Sequence, residues 1–216
     1  MDVRPFETRH ESFVGDVADL PTCRRAVAGV DALVIAHMAK NPDAYVDPTL
    51  PFDINVKGTA NLFFAAQEAG IRKVVLVSST SAGGHHSKPV DHTHPIHPTE
   101  GIYAVTKALQ EVIAEYYSRQ HRMSVAALRI GYVTDAQAML DKNGRKITHR
   151  SALLTDRRDV GEVARLCLEQ ADITWEVFNV MSTQESLTLW DVQHTCRRLN
   201  WSPRYDFSWL PSPGPA

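Results

Sequence analysis

Several things are scarce in this chain, and each scarcity closes off a class of protein. Only three cysteines occur in 216 residues, Cys23, Cys167 and Cys196, and none stands in a C-x-x-C spacing. A thiolate metal cage and a disulfide framework are therefore not expected, and the cysteines fit a reducing compartment. Apolar runs such as residues 32–36 and 74–77 fall far short of the ~20 residues a membrane span needs. Neither charge sign dominates, because 23 Lys plus Arg against 25 Asp plus Glu leave a formal charge of −2. Without a basic field, nucleic acid is not an expected partner. The start, Met1-Asp2-Val3-Arg4-Pro5-Phe6-Glu7, has no apolar stretch behind a basic head, so it does not read as a secretory signal, and a cytoplasmic location is expected. What is present is 44% hydrophobic, 22% charged and 8% aromatic, the composition of a globular chain with one good core.

Hydrophobic period supplies the architecture. Ser12-Phe13-Val14 is a short apolar run, and Asp19-Leu20-Pro21 then opens a helix with Asp as its cap and Pro in its first turn, ending at Gly29. Residues 32–36 are apolar on both faces, which predicts a central strand of a parallel sheet. Phe52, Val56, Ala60, Phe63, Phe64 and Ala66 recur at helical spacing up to Gly70. Residues 73–77 predict a second buried strand, and a long polar loop over 78–100 leads into a helix carrying Tyr103, Leu109, Val112, Ile113 and Tyr116. A strand over 125–130 follows, then an irregular stretch over 132–157, a helix over about 160–170, a strand over 175–180 and a helix near 189–199. The alternation predicts an α/β chain with a doubly wound parallel sheet. The Pro-rich tail 211–216 is expected to be loose.

The strongest chemical signal is Tyr103-Ala104-Val105-Thr106-Lys107 at the start of a helix, because a four-residue spacing puts phenol and ammonium on one face. A nearby cation stabilises phenolate and makes Tyr usable as a proton acceptor near neutral pH. Upstream, the strand over 73–77 runs into Ser78-Ser79-Thr80-Ser81, hydroxyls at the carboxyl end of a parallel strand, where ligands of open α/β sheets bind.

At these residues the chain resembles the extended short-chain dehydrogenase/reductase family, which includes sugar epimerases, dehydratases and the uronate dehydrogenases. Gly15-Asp16-Val17-Ala18-Asp19 is similar to the family's segment at adenine, and Ala36-His37-Met38-Ala39 to its H-x-A-A segment beside the cofactor phosphates and ribose. Asn55-Val56-Lys57-Gly58-Thr59 matches its N-V-x-G-T helix motif, and Ser78-Ser79-Thr80 and the Tyr103/Lys107 pair match its active-site groups. Leu128-Arg129-Ile130-Gly131 resembles the segment beside the nicotinamide, and Arg158-Asp159-Val160 a late helix start.

The resemblance implies a Rossmann-like fold in one domain. Its core would span 10–131 and 159–181, and substrate-side segments 132–158 and 182–210 would form a small C-terminal cap. It implies an NAD(P)-dependent oxidoreductase or epimerase of a sugar or sugar acid. Tyr103 would exchange the substrate proton, Lys107 would lower its pKa and hold the nicotinamide ribose, and Thr80 would bond the reacting oxygen, with Ser79 as the alternative. Asp2, Asp16, Val17, Ala36, His37, Met38, Ala39, Asn55, Ser78, Lys107 and Ile130 would face the cofactor, and Ser79, His85 and Arg150 the substrate. NAD is expected over NADP because an acid at Asp2 would repel a 2′-phosphate.

One family feature is absent. None of the 11 glycines forms the G-x-x-G-x-x-G phosphate loop. The fold is therefore expected to be N-terminally truncated, with an open slot in the sheet. A late start, a shortened chain or a covering partner would each account for it, and a cofactor-impaired binding or scaffold module is the alternative function. Five histidines, His85, His86, His92, His94 and His97, lie among prolines with no fixed face and are expected to be solvated rather than to bind a metal. The ending Leu199-Asn200-Trp201-Ser202-Pro203 is similar to the close of the uronate dehydrogenases, and Arg150 lies, within about one residue, where the resemblance implies a carboxylate-binding Arg. The helices over 52–69 and 102–121 are those the family often pairs into a homodimer.

Overall fold

The computed structural model describes residues 1–39, 45–84, 90–98 and 101–212. A four-stranded parallel sheet in the order β1-β2-β3-β7 organises them, built from β1 (Ala32–Ile35), β2 (Lys73–Ser79), β3 (Ser124–Ile130) and β7 (Trp175–Val180). Register is set by the apolar runs, with Leu33 opposite Val74, Val75 opposite Ala126 and Ala127 opposite Val177. Because strand side chains alternate between faces, Val74 and Leu76 join one core with Phe63, Ala66, Tyr117 and Val125. Val75 joins the other, with Ala126, Leu128, Val163, Phe178 and Val192. Helices on both faces of a parallel sheet make this the expected doubly wound α/β architecture.

The helices begin where their caps dictate. Asp19 accepts from Thr22 N at 3.0 Å and starts α1 (Leu20–Ala26), and Asp156 accepts from Arg158 N at 2.8 Å and starts α5 (Arg157–Glu169). The apolar stripe over 52–66 is one continuous helical segment with an interruption. α2 (Thr49–Pro51) passes into a π-helical stretch, Phe52–Lys57, before α3 (Gly58–Glu68). Such widened turns are uncommon and concentrate at functional sites, and this one contains Asn55. Gly58 follows at once: a β-carbon there would collide with Val17 and press on the His37 ring. α4 (Gly101–His121) carries Tyr103 and Lys107.

Three expectations need correction. Among the described residues β1 is an edge strand rather than a central one, and Val34 is 51% exposed. An apolar run reports what covers its faces and says nothing about whether a strand pairs along its side. The stretch 132–157 is not irregular: β4 (Tyr132–Asp135), β5 (Leu140–Asp141) and β6 (Leu154–Asp156) form a second sheet in the order β5-β4-β6. Ala136 and Leu154 pack there against Phe207 and Leu210. The helix expected near 189–199 starts later, as α7 (Val192–Leu199) after Asp191 with its φ of 47°, and an unexpected short helix, α6 (Gln184–Leu189), precedes it. Pro211 and Ser212 are held by Arg150, through its backbone N–H and guanidinium respectively, and residues 213–216 lie outside the described residues.

Candidate active site

β2 delivers Ser78 and Ser79 to its carboxyl end, and the first turns of α4 bring Tyr103 and Lys107 to the same place. Ser79 hydrogen-bonds the Tyr103 phenol, which lowers its pKa, but burial outweighs that and the phenol stands above its ordinary value. The expected lowering by Lys107 is therefore not seen. One of the ammonium's three protons goes to the Val77 carbonyl at 2.9 Å, and burial brings Lys107 down to about 8 against an opposing attraction from Glu111. Desolvation disfavours each group's charged form, so it pushes an acid up and a base down. The two pKa values are thus driven toward each other. Of the two hydroxyls considered for the reacting oxygen, Ser79 is the one bonded to the phenol, while Thr80 begins the short turn that follows.

A seam of hydrogen bonds fixes this pair to the segment after β1. Asn55 is fully buried, accepts from Ala39 N at 2.8 Å and donates to the hydroxyl of Thr106 at 2.9 Å, between Tyr103 and Lys107. Thr59 sits 3.3 Å from His37 Nε2 and accepts from Gln110 Nε2 at 2.6 Å. Burial, with the charge of Lys107 adding to it, holds His37 at about 4, so its ring is neutral near pH 7. Tyr45 donates to the Ala39 carbonyl at 2.8 Å and packs edge-on against Tyr103 with ring centroids 5.5 Å apart. Ile130 lies opposite Ser79 in the β2–β3 register. His37, Ala39, Asn55, Ser79, Lys107 and Ile130 therefore meet at one end of the sheet, and Val17 joins them through its contact with Gly58. Ala36 and Met38 are exposed beside this seam.

Sequence reasoning missed a second buried layer. Ser78 donates to Glu111 at 2.5 Å, so its hydroxyl proton is committed inward. Glu111 is gripped by Arg129 through Nε at 3.0 Å and a terminal nitrogen at 2.9 Å, with both side chains almost wholly buried. The other terminal nitrogen of Arg129 donates to the His94 carbonyl at 2.8 Å. The available signal was a Glu four residues beyond Lys107, on the same helical face. A cavity of about 510 Å³ opens beside this pair, lined by His92, His94, Glu115 and Trp175 among others, and reaches neither Tyr103 nor Lys107.

Other expected site residues stand apart. Asp2 is exposed, accepts from Arg4 N at 3.0 Å and bridges Val14. Asp16 is exposed and accepts from Ala18 N at 2.8 Å in a local turn. Arg150 is not a free guanidinium: it forms an ion pair with Glu185 at 2.6 Å. His92 is not simply solvated either, since its ring stacks on His194 at 3.6 Å and pairs with Asp191 at 2.9 Å. His85 lies outside the described residues. Among the described residues no group of three or more His, Cys, Asp or Glu is arranged to hold a metal ion, and no helix is long and apolar enough to cross a membrane. Burial pushes Cys23 and Cys167 up to about 11 and 12, which leaves them as unreactive thiols.

The residues fit one end of a dinucleotide better than the other. Tyr103, Lys107 and Ser79 suit a nicotinamide ribose and a reacting hydroxyl. No glycine-rich turn for a pyrophosphate is found among the described residues. Gly15 precedes α1, but the space on its open side is filled by Thr22 and Phe13. The start of α1 is occupied by the Asp19 carboxylate, whose pKa is lowered by its bond to Thr22. An anion there would meet a negative charge.

Comparison with known proteins identifies the family. A sequence profile of the NAD dependent epimerase/dehydratase family matches residues 3–167. This chain belongs to that family. An NAD-dependent glucose-6-phosphate dehydrogenase of Haloferax volcanii is 30% identical over 185 residues, 77% of this chain. The chain spans 66% of that relative's length, just under two thirds. Among solved structures, a glucuronic acid dehydrogenase from Chromohalobacter salexigens aligns with a TM-score of 0.76 at 19% identity, covering 97% of this chain and 74% of that one. A short-chain dehydrogenase/reductase superfamily protein from Agrobacterium tumefaciens with bound NAD gives 0.71 at 22%, covering 98% and 75%.

Proposed function

We propose that this chain carries the proton-transfer site of an NAD-dependent oxidoreductase acting on a sugar or sugar acid. The observation that carries the reading is the convergence of Ser79, Tyr103 and Lys107 at the carboxyl end of β2. Ser79, in the role for which Thr80 was expected, positions the substrate hydroxyl against the Tyr103 oxygen. Tyr103 accepts its proton as the carbon–hydrogen bond is given up. Lys107 supplies the positive charge that makes phenolate accessible, once its ammonium turns from the Val77 carbonyl toward the phenol. NAD, when bound, takes the hydride. Lys107 and Tyr103 would hold its nicotinamide ribose, and residues 36–39 would line the path of its ribose and phosphates. The named activities of the relatives, on glucose-6-phosphate and glucuronic acid, support a sugar or sugar acid as substrate. With Arg150 already paired to Glu185, the reading does not favour uronates over neutral sugars.

The test is NADH formation by the chain at millimolar NAD, over a panel of glucose-6-phosphate, glucuronate, galacturonate and UDP-sugars. Turnover with a free sugar or sugar acid is expected. No turnover with any of them, at any NAD concentration, overturns the reading.

A binding or scaffold module is the second reading, favoured by the unpaired edge of β1 and by the lack of a phosphate turn among the described residues. Titration calorimetry separates the two: weak NAD binding that still supports turnover fits the enzyme, and undetectable binding fits the module. A second copy of the chain is the partner proposed for α3 and α4, where Phe64, Val105, Val112 and Tyr116 are exposed. Val105, Val112 and Tyr116 recur along one face of α4.

A further inference from the structure

Glu111 is a buried carboxylate that the proposed reaction does not use. It lies one helical turn beyond Lys107, faces Arg129 and Ser78, and is fully enclosed. A buried ion pair of this kind contributes little net stability against an apolar pair of similar volume, so its presence asks for another reason. We propose that Glu111 is a positioning residue that keeps the buried Lys107 in its ammonium form and so in the state that assists Tyr103. This rests on the reading of Lys107 as the partner of Tyr103.

The charges around Lys107 support it. From α4 come Tyr103, neutral below its raised pKa, and Glu111. From the segment after β1 comes His37, neutral near pH 7. From β2 come only the Val77 carbonyl and the hydroxyls of Ser78 and Ser79. β3 contributes Arg129, a second cation, which Glu111 already neutralises. Glu111 is thus the anion whose attraction opposes the burial of Lys107. Without it, Arg129 would lose the carboxylate it is paired with, and Lys107 the anion whose attraction opposes its burial. A guanidinium does not shed its proton in proteins, so Lys107 would have to yield.

The experiment reads Lys107 directly, without NAD or substrate. The full chain is labelled with side-chain ¹³C lysine, the Lys107 signal is assigned by its loss in Lys107→Met, and its titration is followed by NMR. The wild type should titrate near 8. Glu111→Gln should lower the midpoint by about one unit or more, a tenfold loss of proton affinity. Glu111→Asp, which keeps the charge, should stay near the wild type, and Ser78→Ala, which removes only the hydroxyl, should do the same. If the lone buried guanidinium stops Glu111→Gln from folding, Glu111→Gln with Arg129→Met removes both charges and should still lower the midpoint, by less. A midpoint unchanged or raised in whichever of these folds overturns the proposal. So does failure of both to fold, which would assign the pair to stability alone. A lowered midpoint beside an unimpaired Tyr103→Phe variant would sink the proposed reaction while leaving this control of Lys107 in place.

Discussion

β1 and β2 are neighbours in one sheet and read almost alike as sequence, yet they live in different surroundings. β2 pairs with a strand on each side and ends in Ser78 and Ser79, which bond side chains of α4. β1 pairs on one side, and Val34 opens to solvent. The segment before α1 is barer still, with Val3 and Phe6 exposed and one bridge, Asp2 to Val14, outside the main sheet. The difference locates the chemistry. Tuned pKa values need a dry, fixed environment: Tyr103 and Lys107 acquire theirs where β2, β3 and α4 close on one another, and His37, just after β1, acquires its own from burial against the Asn55 turn and Lys107.

The largest effect should come from breaking the closed side. Phe63 is fully buried on α3 and stacks on Tyr117 at 5.2 Å. Phe63→Ala should cost about 3–5 kcal/mol in urea unfolding, and a loss below about 1 kcal/mol would mean this side is loosely packed. A middle-sized effect sharpens the contrast through pH. His37 is held at about 4, below its unfolded value. The unfolded chain therefore binds more protons between roughly pH 6.5 and 4, and stability should fall across that window as pH falls. The loss should be of order 1–3 kcal/mol, be largely absent in His37→Gln, and be complete below about 4. Full retention of the slope in His37→Gln would place its source elsewhere. The smallest effect belongs to the open edge, where Val34→Thr should stay within about 0.5 kcal/mol of the wild type. A loss near that of Phe63→Ala would show that the edge is covered in solution.

Much of this was legible in the chain. The strand over 175–180 appears at those residues, Asp19 caps α1 as its position before Leu20-Pro21 implied, and the Y-x-x-x-K spacing placed Tyr103 and Lys107 together on α4. Those features are local, set by period, capping and helical geometry. The edge position of β1 was not legible, because hydrophobic pattern encodes faces and not sideways neighbours. β4, β5 and β6 were missed because they are two to four residues long, too short to show a period. The direction of the Tyr103 shift was misjudged because spacing shows that a cation is near and cannot show how far burial outweighs it. The Glu111–Arg129 pair joins residues 18 apart on different elements, and only the fold brings them together.

The claim that the closed side performs proton transfer is tested most directly by one substitution. Tyr103→Phe removes the phenolic oxygen and keeps the ring that packs on Tyr45. NADH formation at saturating NAD, with the best sugar of the panel, should fall at least about a hundredfold while the unfolding midpoint and NAD binding stay near the wild type. An unchanged rate in Tyr103→Phe would contradict the account.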